Sequence, residues 1–184
     1  MPNTLDNLNG KRIKPVIAVF VDSPNSFQEY ARERRAEYAN MIAKELIPYI
    51  DKNYRTKATP EARAFIGGDE GGYSVFYTAF KYPDTFSMLA AQSAHLFPPE
   101  GDELRDLVRN SEKQPFTIYL DWGRYDHRNT AQGFSWVTLN QNFAKILKDK
   151  GYKISGGQVN DGFEWPSWRT RTDKILETFF GLSM

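Results

Sequence analysis

The chain has 184 residues and a mass of 21.2 kDa, enough to bury one sizeable core and short for two. With 40% hydrophobic and 26% charged residues it has ordinary globular usage, which argues against disorder. Lys and Arg total 24 against 23 Asp and Glu, so the excess of positive charge that a phosphate backbone requires is missing and no nucleic-acid partner is expected.

There is no Cys, which removes disulfides, thiolate metal sites and a cysteine nucleophile, and leaves the compartment open. Met1 to Pro15 is polar and basic without the apolar centre of a signal peptide, and nowhere do eighteen apolar residues run together. No membrane partner is expected, and localisation is not assigned. Aromatic residues reach 15%, as on some carbohydrate-binding surfaces, but most fall at helical or strand spacing and read as core.

Pro15 to Asp22, PVIAVFVD, is a Val-rich apolar run closed by the turn-forming Asp-Ser-Pro-Asn, the pattern of a buried parallel strand. A long helix is predicted after it, with Tyr38, Ile42, Leu46 and Tyr49 inward and Glu29, Glu33, Arg34 and Glu37 outward. Next come a strand at Arg63–Ile66, the glycine cluster GGDEGG, a helix from about Tyr73 to Lys81 and a strand at Met88–Gln92. Phe116–Asp121 reads as a strand and Thr130–Lys150 as a helix facing the core with Trp136, Leu139, Phe143 and Ile146. A short strand at Tyr152–Ile154 follows, then a helix opened by Pro166 with Trp168, Ile175, Leu176 and Phe179 inward. Strand and helix in alternation predict one α/β domain over residues 1–184, with a parallel sheet of about five strands and helical crossovers.

Gly67-Gly68-Asp69-Glu70-Gly71 lies between a strand and a helix in the pattern G-x-D-x-G, the spacing of a nucleophile elbow with Asp at its centre. Such a turn forces its central residue into strained geometry, and small neighbours let the chain pass close by. With LDNL from Leu5, VIAVFVD, KELIPYIDKNYRT from Lys44, KYPDTF from Lys81, AAQSAH, WGRYD ending at Asp126 and GFEWPSWR from Gly162, the chain resembles an esterase family of α/β-hydrolases. That family includes enterochelin esterases, feruloyl and acetylxylan esterases and S-formylglutathione hydrolases.

The resemblance covers nearly the whole chain. It implies that the family's serine position holds Asp69, its acid Asp126, and its histidine position Phe163. A serine esterase needs an alcohol to attack the acyl carbon and an imidazole to carry its proton, and Asp69 and Phe163 supply neither. Ser74, a helical turn further on, is expected to point elsewhere. The backbone N–H of Glu70 falls where one oxyanion donor would be. The resemblance also implies several strands ahead of Leu5, including the one whose His-Gly loop supplies the second donor, so the chain reads as an N-terminally incomplete α/β-hydrolase. The VIAVFVD strand then either pairs directly with the strand before Asp69 or leaves a gap for a partner, and the wide apolar sheet face predicts a homodimer or larger assembly.

Three readings follow. The first is an esterase-like protein without catalysis, whose cleft binds a ligand such as a small ester or a carbohydrate-linked one, binds another protein, or does nothing. The second is a hydrolase using Asp69 as nucleophile with Asp126, as dehalogenases and epoxide hydrolases of the wider superfamily do; such chemistry needs a histidine, and His127 is favoured over His95. A fragment or altered form of an active esterase is a third. A metal centre from Asp69, Glu70, Asp126 and His127 is not expected, because adjacent Asp and Glu at a tight turn should diverge and no His-x-x-x-His spacing is present. No cofactor is expected.

Overall fold

A computed structural model describes residues 2–129 and 133–182. Helix α1 (Pro2–Leu8) opens the chain and lies against the last helix of the fold. Pro15–Asp22, expected as a buried strand, is extended but joins no ladder, and Ile17, Val19 and Phe20 are exposed. Hydrophobicity alone does not make a strand, because its backbone groups need a partner edge. Val16 and Val21 nonetheless pack inward on the two sides of the fold.

The long helix that follows is interrupted. A wide helical turn at Phe27–Ala31 precedes α2 (Arg35–Met41), and a second wide turn at Ile42–Leu46 leads into α3 (Ile47–Asn53). Pro48 offers no N–H to the preceding turn and its ring crowds the carbonyl four residues back, which accounts for the widening ahead of it. Tyr38 and Ile42 are buried as predicted, whereas Tyr49 is exposed.

Strand β1 (Ala64–Gly68) enters the turn at Asp69 and α4 (Glu70–Lys81) leaves it. Gly72 to Phe80 are buried without a break, so α4 is enclosed on all sides between the sheet and the outer helices α2 and α5. After β2 (Met88–Gln92) comes α5 (Glu100–Asn110), which the sequence hides: its stripe is only Leu104, Leu107 and Val108 among charged neighbours. Strand β3 (Thr117–Gly123) follows, then a small antiparallel pair of β4 (Arg128–Asn129) and β5 (Phe134–Ser135), and α6 (Trp136–Asp149). The predicted start of α6 at Thr130 lies outside the described residues. Its buried face is Val137, Asn140, Phe143, Ala144 and Leu147, about one position round from the expected set, with Leu139 and Ile146 at the flank. Strand β6 (Ile154–Val159), the short helix α7 (Trp165–Trp168) and α8 (Thr172–Phe180) complete the chain.

Among the described residues the main sheet has four strands in the order β1-β2-β3-β6, all parallel, in keeping with the expected parallel sheet of about five, and Pro15–Asp22 does not join it. Strands β2 and β3 are buried almost throughout, while β1 and β6 are partly exposed at the two edges. Sequential strand order with right-handed crossovers puts α4, α5 and α6 on one face. That face carries the large core of Tyr73, Phe76, Leu89, Ile118, Leu120 and Phe143 with their neighbours. The other face is covered by α8, where Ile175 meets Ala90 and Tyr119, and by α1, where Leu8 meets Leu176. Among the described residues no helix is long and apolar enough to cross a membrane.

Candidate functional site

Asp69 lies at the carboxyl end of β1, beside the carboxyl end of β2. The strand must turn sharply there to launch α4, and Asp69 takes φ 51° and ψ −119°. A side chain on Gly67 would run into the backbone of Gly71 and Gly72, so glycine is required for the chain to fold back on itself. The turn is tied down by its own backbone. Asp69 N–H donates to the Gln92 carbonyl at 3.0 Å, and the Asp69 carbonyl accepts from Tyr73 N–H at 3.1 Å and His95 N–H at 2.9 Å.

Among the described non-glycine residues, positive φ occurs at Asp69, Ser93 (49°) and Glu164 (93°). All three lie beside this corner, since Ser93 accepts a hydrogen bond from the indole of Trp168 and Glu164 follows Phe163. Strain gathered at one end of the sheet is a common mark of a site that geometry holds in place.

The Asp69 carboxylate is mostly buried, and its Oδ1 has no hydrogen-bond partner. His95 Nδ1 stands 3.7 Å from that oxygen, beyond hydrogen-bond range. His95 is 8% exposed and its ring is walled by Phe27, Phe97 and Trp136, with centroids 5.3–5.8 Å away. Its Nε2 is buried without a partner. Glu70 opens α4 beside them, its carboxyl pushed up to about 7 by burial and then by the charge of Asp69, with His95 acting in the opposite direction. Asp69 and Glu70 therefore do not diverge as expected. Together with His95 they bring one potential ligand atom each to within 4.8 Å of the others.

Asp126 and His127 do not join that group. Asp126 is 2% exposed and turns back on its own loop, with Oδ2 accepting from Gly123 N–H at 2.9 Å. Burial raises its carboxyl above the usual range, opposed by the Ser93 hydroxyl and the Gly123 amide. A side chain on Gly123 would strike Asp126 and the Asp161 carbonyl, so this glycine lets the two loops meet. His127 is exposed and lies against Phe163 (4.7 Å) and Trp136 (5.8 Å). Phe163 also packs on Trp136 at 5.3 Å and Trp168 at 4.9 Å, and Trp168 lies against Gly68, next to Asp69. A chain of rings from Trp165 through Trp168, Phe163, Trp136 and His95 thus borders the corner. The sequence reading assigned most rings to the core and did not anticipate this. Ser74 is buried within α4.

Three further residues escaped sequence reasoning. Asp121 is fully buried and paired with Arg171, whose Nε donates at 2.8 Å, and it also accepts from Tyr119 Oη at 3.1 Å. Arg171 reaches on to Asp161 at 2.9 Å and to the carbonyl and hydroxyl of Ser167, anchoring α7 and its Trp168 to the sheet. An Asp inside the apolar strand IYLDWG was the available signal for a buried partner. Asn140, fully buried on α6, accepts from Ala94 N–H at 3.1 Å and donates to the Ala94 and Trp136 carbonyls at 3.0 Å, fixing the loop that carries His95.

This parallel sheet, with crossover helices on one face and a strained strand-to-helix turn at its carboxyl end, is an α/β-hydrolase arrangement. The family described as "Putative esterase" matches residues 5–179, and the chain belongs to it. It is 29% identical to an endo-1,4-beta-xylanase/feruloyl esterase of Xylanibacter ruminicola across 96% of this chain, which spans 23% of that relative's length. In fold it is similar to an enterobactin esterase from Shigella flexneri (TM-score 0.67, 20% identity, 85% of this chain and 41% of the other). It is likewise similar to a ferulic acid esterase from Anaeromyces mucronatus (TM-score 0.64, 20% identity, 91% and 61%).

Proposed function

We propose that this chain is an esterase-fold protein that does not perform serine-type ester hydrolysis and keeps its cleft as a binding site for a small ester or carbohydrate-linked ligand. The observation that carries this reading is the pairing of Asp69 at the strained turn with Phe163 on the facing loop. The nucleophile-elbow position offers a carboxylate instead of an alcohol. The position expected to hold the base is a phenyl ring packed among His127, Trp136 and Trp168. A proton relay from Asp126 has nothing to act on, since the facing position is the Phe163 ring and Asp126 Oδ1 is buried without a partner. The aromatic border suits the flat face of an aromatic acid or a sugar ring.

Hydrolysis of a short-chain nitrophenyl ester tests the reading, run beside the double variant Asp69→Ser, Phe163→His. The unmodified chain is expected to give no turnover above the protein-free rate.

A second reading has one observation in its favour. His95, rather than the expected His127, is the imidazole beside Asp69, so a hydrolase using an aspartyl ester would draw its base from His95. Turnover abolished by both Asp69→Asn and His95→Gln would establish it.

The homodimer also belongs to this proposal. Ile17, Val19 and Phe20 are exposed, and the outer edge of β1 has no ladder partner among the described residues. Light scattering is expected to give twice the chain mass, and a monodisperse monomer contradicts it.

A further inference from the structure

We propose that Asp69, Glu70 and His95 bind one divalent transition-metal ion, of the Zn²⁺ or Mn²⁺ kind. The proposal deepens the reading that Asp69 is not a free nucleophile, since a carboxylate held by a metal cannot attack an ester.

Three independent observations carry it. The first is convergence, because one potential ligand atom from each residue lies within 4.8 Å of the other two. The second is a buried imidazole with nothing to bond: His95 is 8% exposed, its Nε2 has no partner, and its Nδ1 stands 3.7 Å from the equally unpartnered Asp69 Oδ1. The buried His95 Nε2 and Asp69 Oδ1 have given up water without a compensating hydrogen bond, while Nδ1 is the ring nitrogen that faces the carboxylate. Two ligands of one ion at about 2.1 Å each would stand roughly 3.0–3.4 Å apart, so a shift of a few tenths of an ångström brings Asp69 and His95 to that spacing, with Glu70 closing in from within 4.8 Å. The third is charge: among the described residues neither Asp69 nor Glu70 is paired with Lys or Arg, although both carboxylates are largely withdrawn from water. Two adjacent carboxylates need a cation or a shared proton.

The scaffold is suited to hold such a site. The Asp69 carbonyl accepts from His95 N–H at 2.9 Å, which locks the two ligand-bearing segments in register, and Asn140 pins Ala94 just before His95. Phe27, Phe97 and Trp136 fix the ring. One imidazole with two carboxylates is a nitrogen and oxygen donor set that favours first-row transition ions over Ca²⁺ and Mg²⁺, which prefer oxygen alone. Three protein ligands leave a coordination position for water or a ligand.

Calorimetric titration of the metal-stripped chain with Mn²⁺ and with Zn²⁺ tests the site. One ion per chain is expected, with affinity at least tenfold weaker in Asp69→Asn, Glu70→Gln and His95→Gln and much weaker for Mg²⁺ and Ca²⁺. The chain has two histidines, so pulsed EPR of the Mn²⁺ complex offers a check that does not depend on how the ligand variants fold. Imidazole nitrogen modulation should persist in His127→Gln. No saturable binding at millimolar ion, loss of the modulation in His127→Gln, or unchanged affinity in a folded Asp69→Asn, His95→Gln double variant overturns the proposal. Failure here would leave the ester-hydrolysis result untouched, and metal-independent ester turnover would overturn the functional reading without bearing on whether the ion binds.

Discussion

Two buried polar clusters sit at the carboxyl ends of strands in the same sheet, and they are built on opposite terms. Around Asp121, at the end of β3, each charge has an answer: Arg171 neutralises the carboxylate, Tyr119 donates to it, and Arg171 is further held by Asp161 and Ser167. Around Asp69, at the end of β1, a carboxylate oxygen and an imidazole nitrogen are buried without partners among the described residues, and two carboxylates lie together with no Lys or Arg of those residues paired to them. A satisfied cluster stabilises the fold that contains it. An unsatisfied one costs stability and persists where the surrounding structure over-determines it, which is why the Asp69 corner reads as the site and the Asp121 cluster as its anchor.

The contrast can be broken most sharply at the anchor. Arg171→Met leaves Asp121 charged and unpaired in a fully buried position, and is expected to cost about 3–5 kcal/mol in urea denaturation. A loss below about 1 kcal/mol would mean that the pair is not the anchor described. Asn140→Leu comes next, since it strips the Ala94 N–H and carbonyl of their partners, at a cost of about 2–3 kcal/mol. Because the same loop carries His95, this variant should also shift the His95 ring resonances while leaving those of Trp165 unmoved.

The smallest effect concerns Asp126. Its carboxyl is raised in the folded chain above the ordinary 3.8, so the folded state binds this proton more tightly than the unfolded state does. Its contribution is present below pH 3.8 and is lost as pH rises through the folded value. Asp126→Asn should flatten that part of the stability profile in pH-dependent denaturation. An unchanged slope would show that burial does not govern this carboxyl.

How much of this was legible in the sequence depended on the range of the interactions concerned. Met88–Gln92 was read correctly because a central strand is buried on both faces and its apolar run leaves no other reading. Pro15–Asp22 has the same apolar character, yet its backbone finds no ladder partner, and no periodicity reports the presence of an edge to pair with. Helix α5 was invisible because three apolar residues among eleven make a faint stripe. The strained turn at Asp69 was legible from its glycines, since Gly67 and Gly71 meet within a few residues of one another.

The partners of Asp69 were harder. Expectation favoured His127 because it follows Asp126, whereas the fold brings in His95 from the far end of β2 through a backbone bond to Asp69 itself. Arg171 lies fifty positions from Asp121, and Asn140 forty-six from Ala94. Pairings of that span are set by strand order and helix placement, which local pattern does not encode.

The central proposal is that the corner at Asp69 does not hydrolyse esters. Steady-state hydrolysis of nitrophenyl acetate by the purified, unmodified chain tests it most directly. The account predicts a rate indistinguishable from buffer at micromolar protein. Saturable turnover that disappears in Asp69→Asn would contradict it.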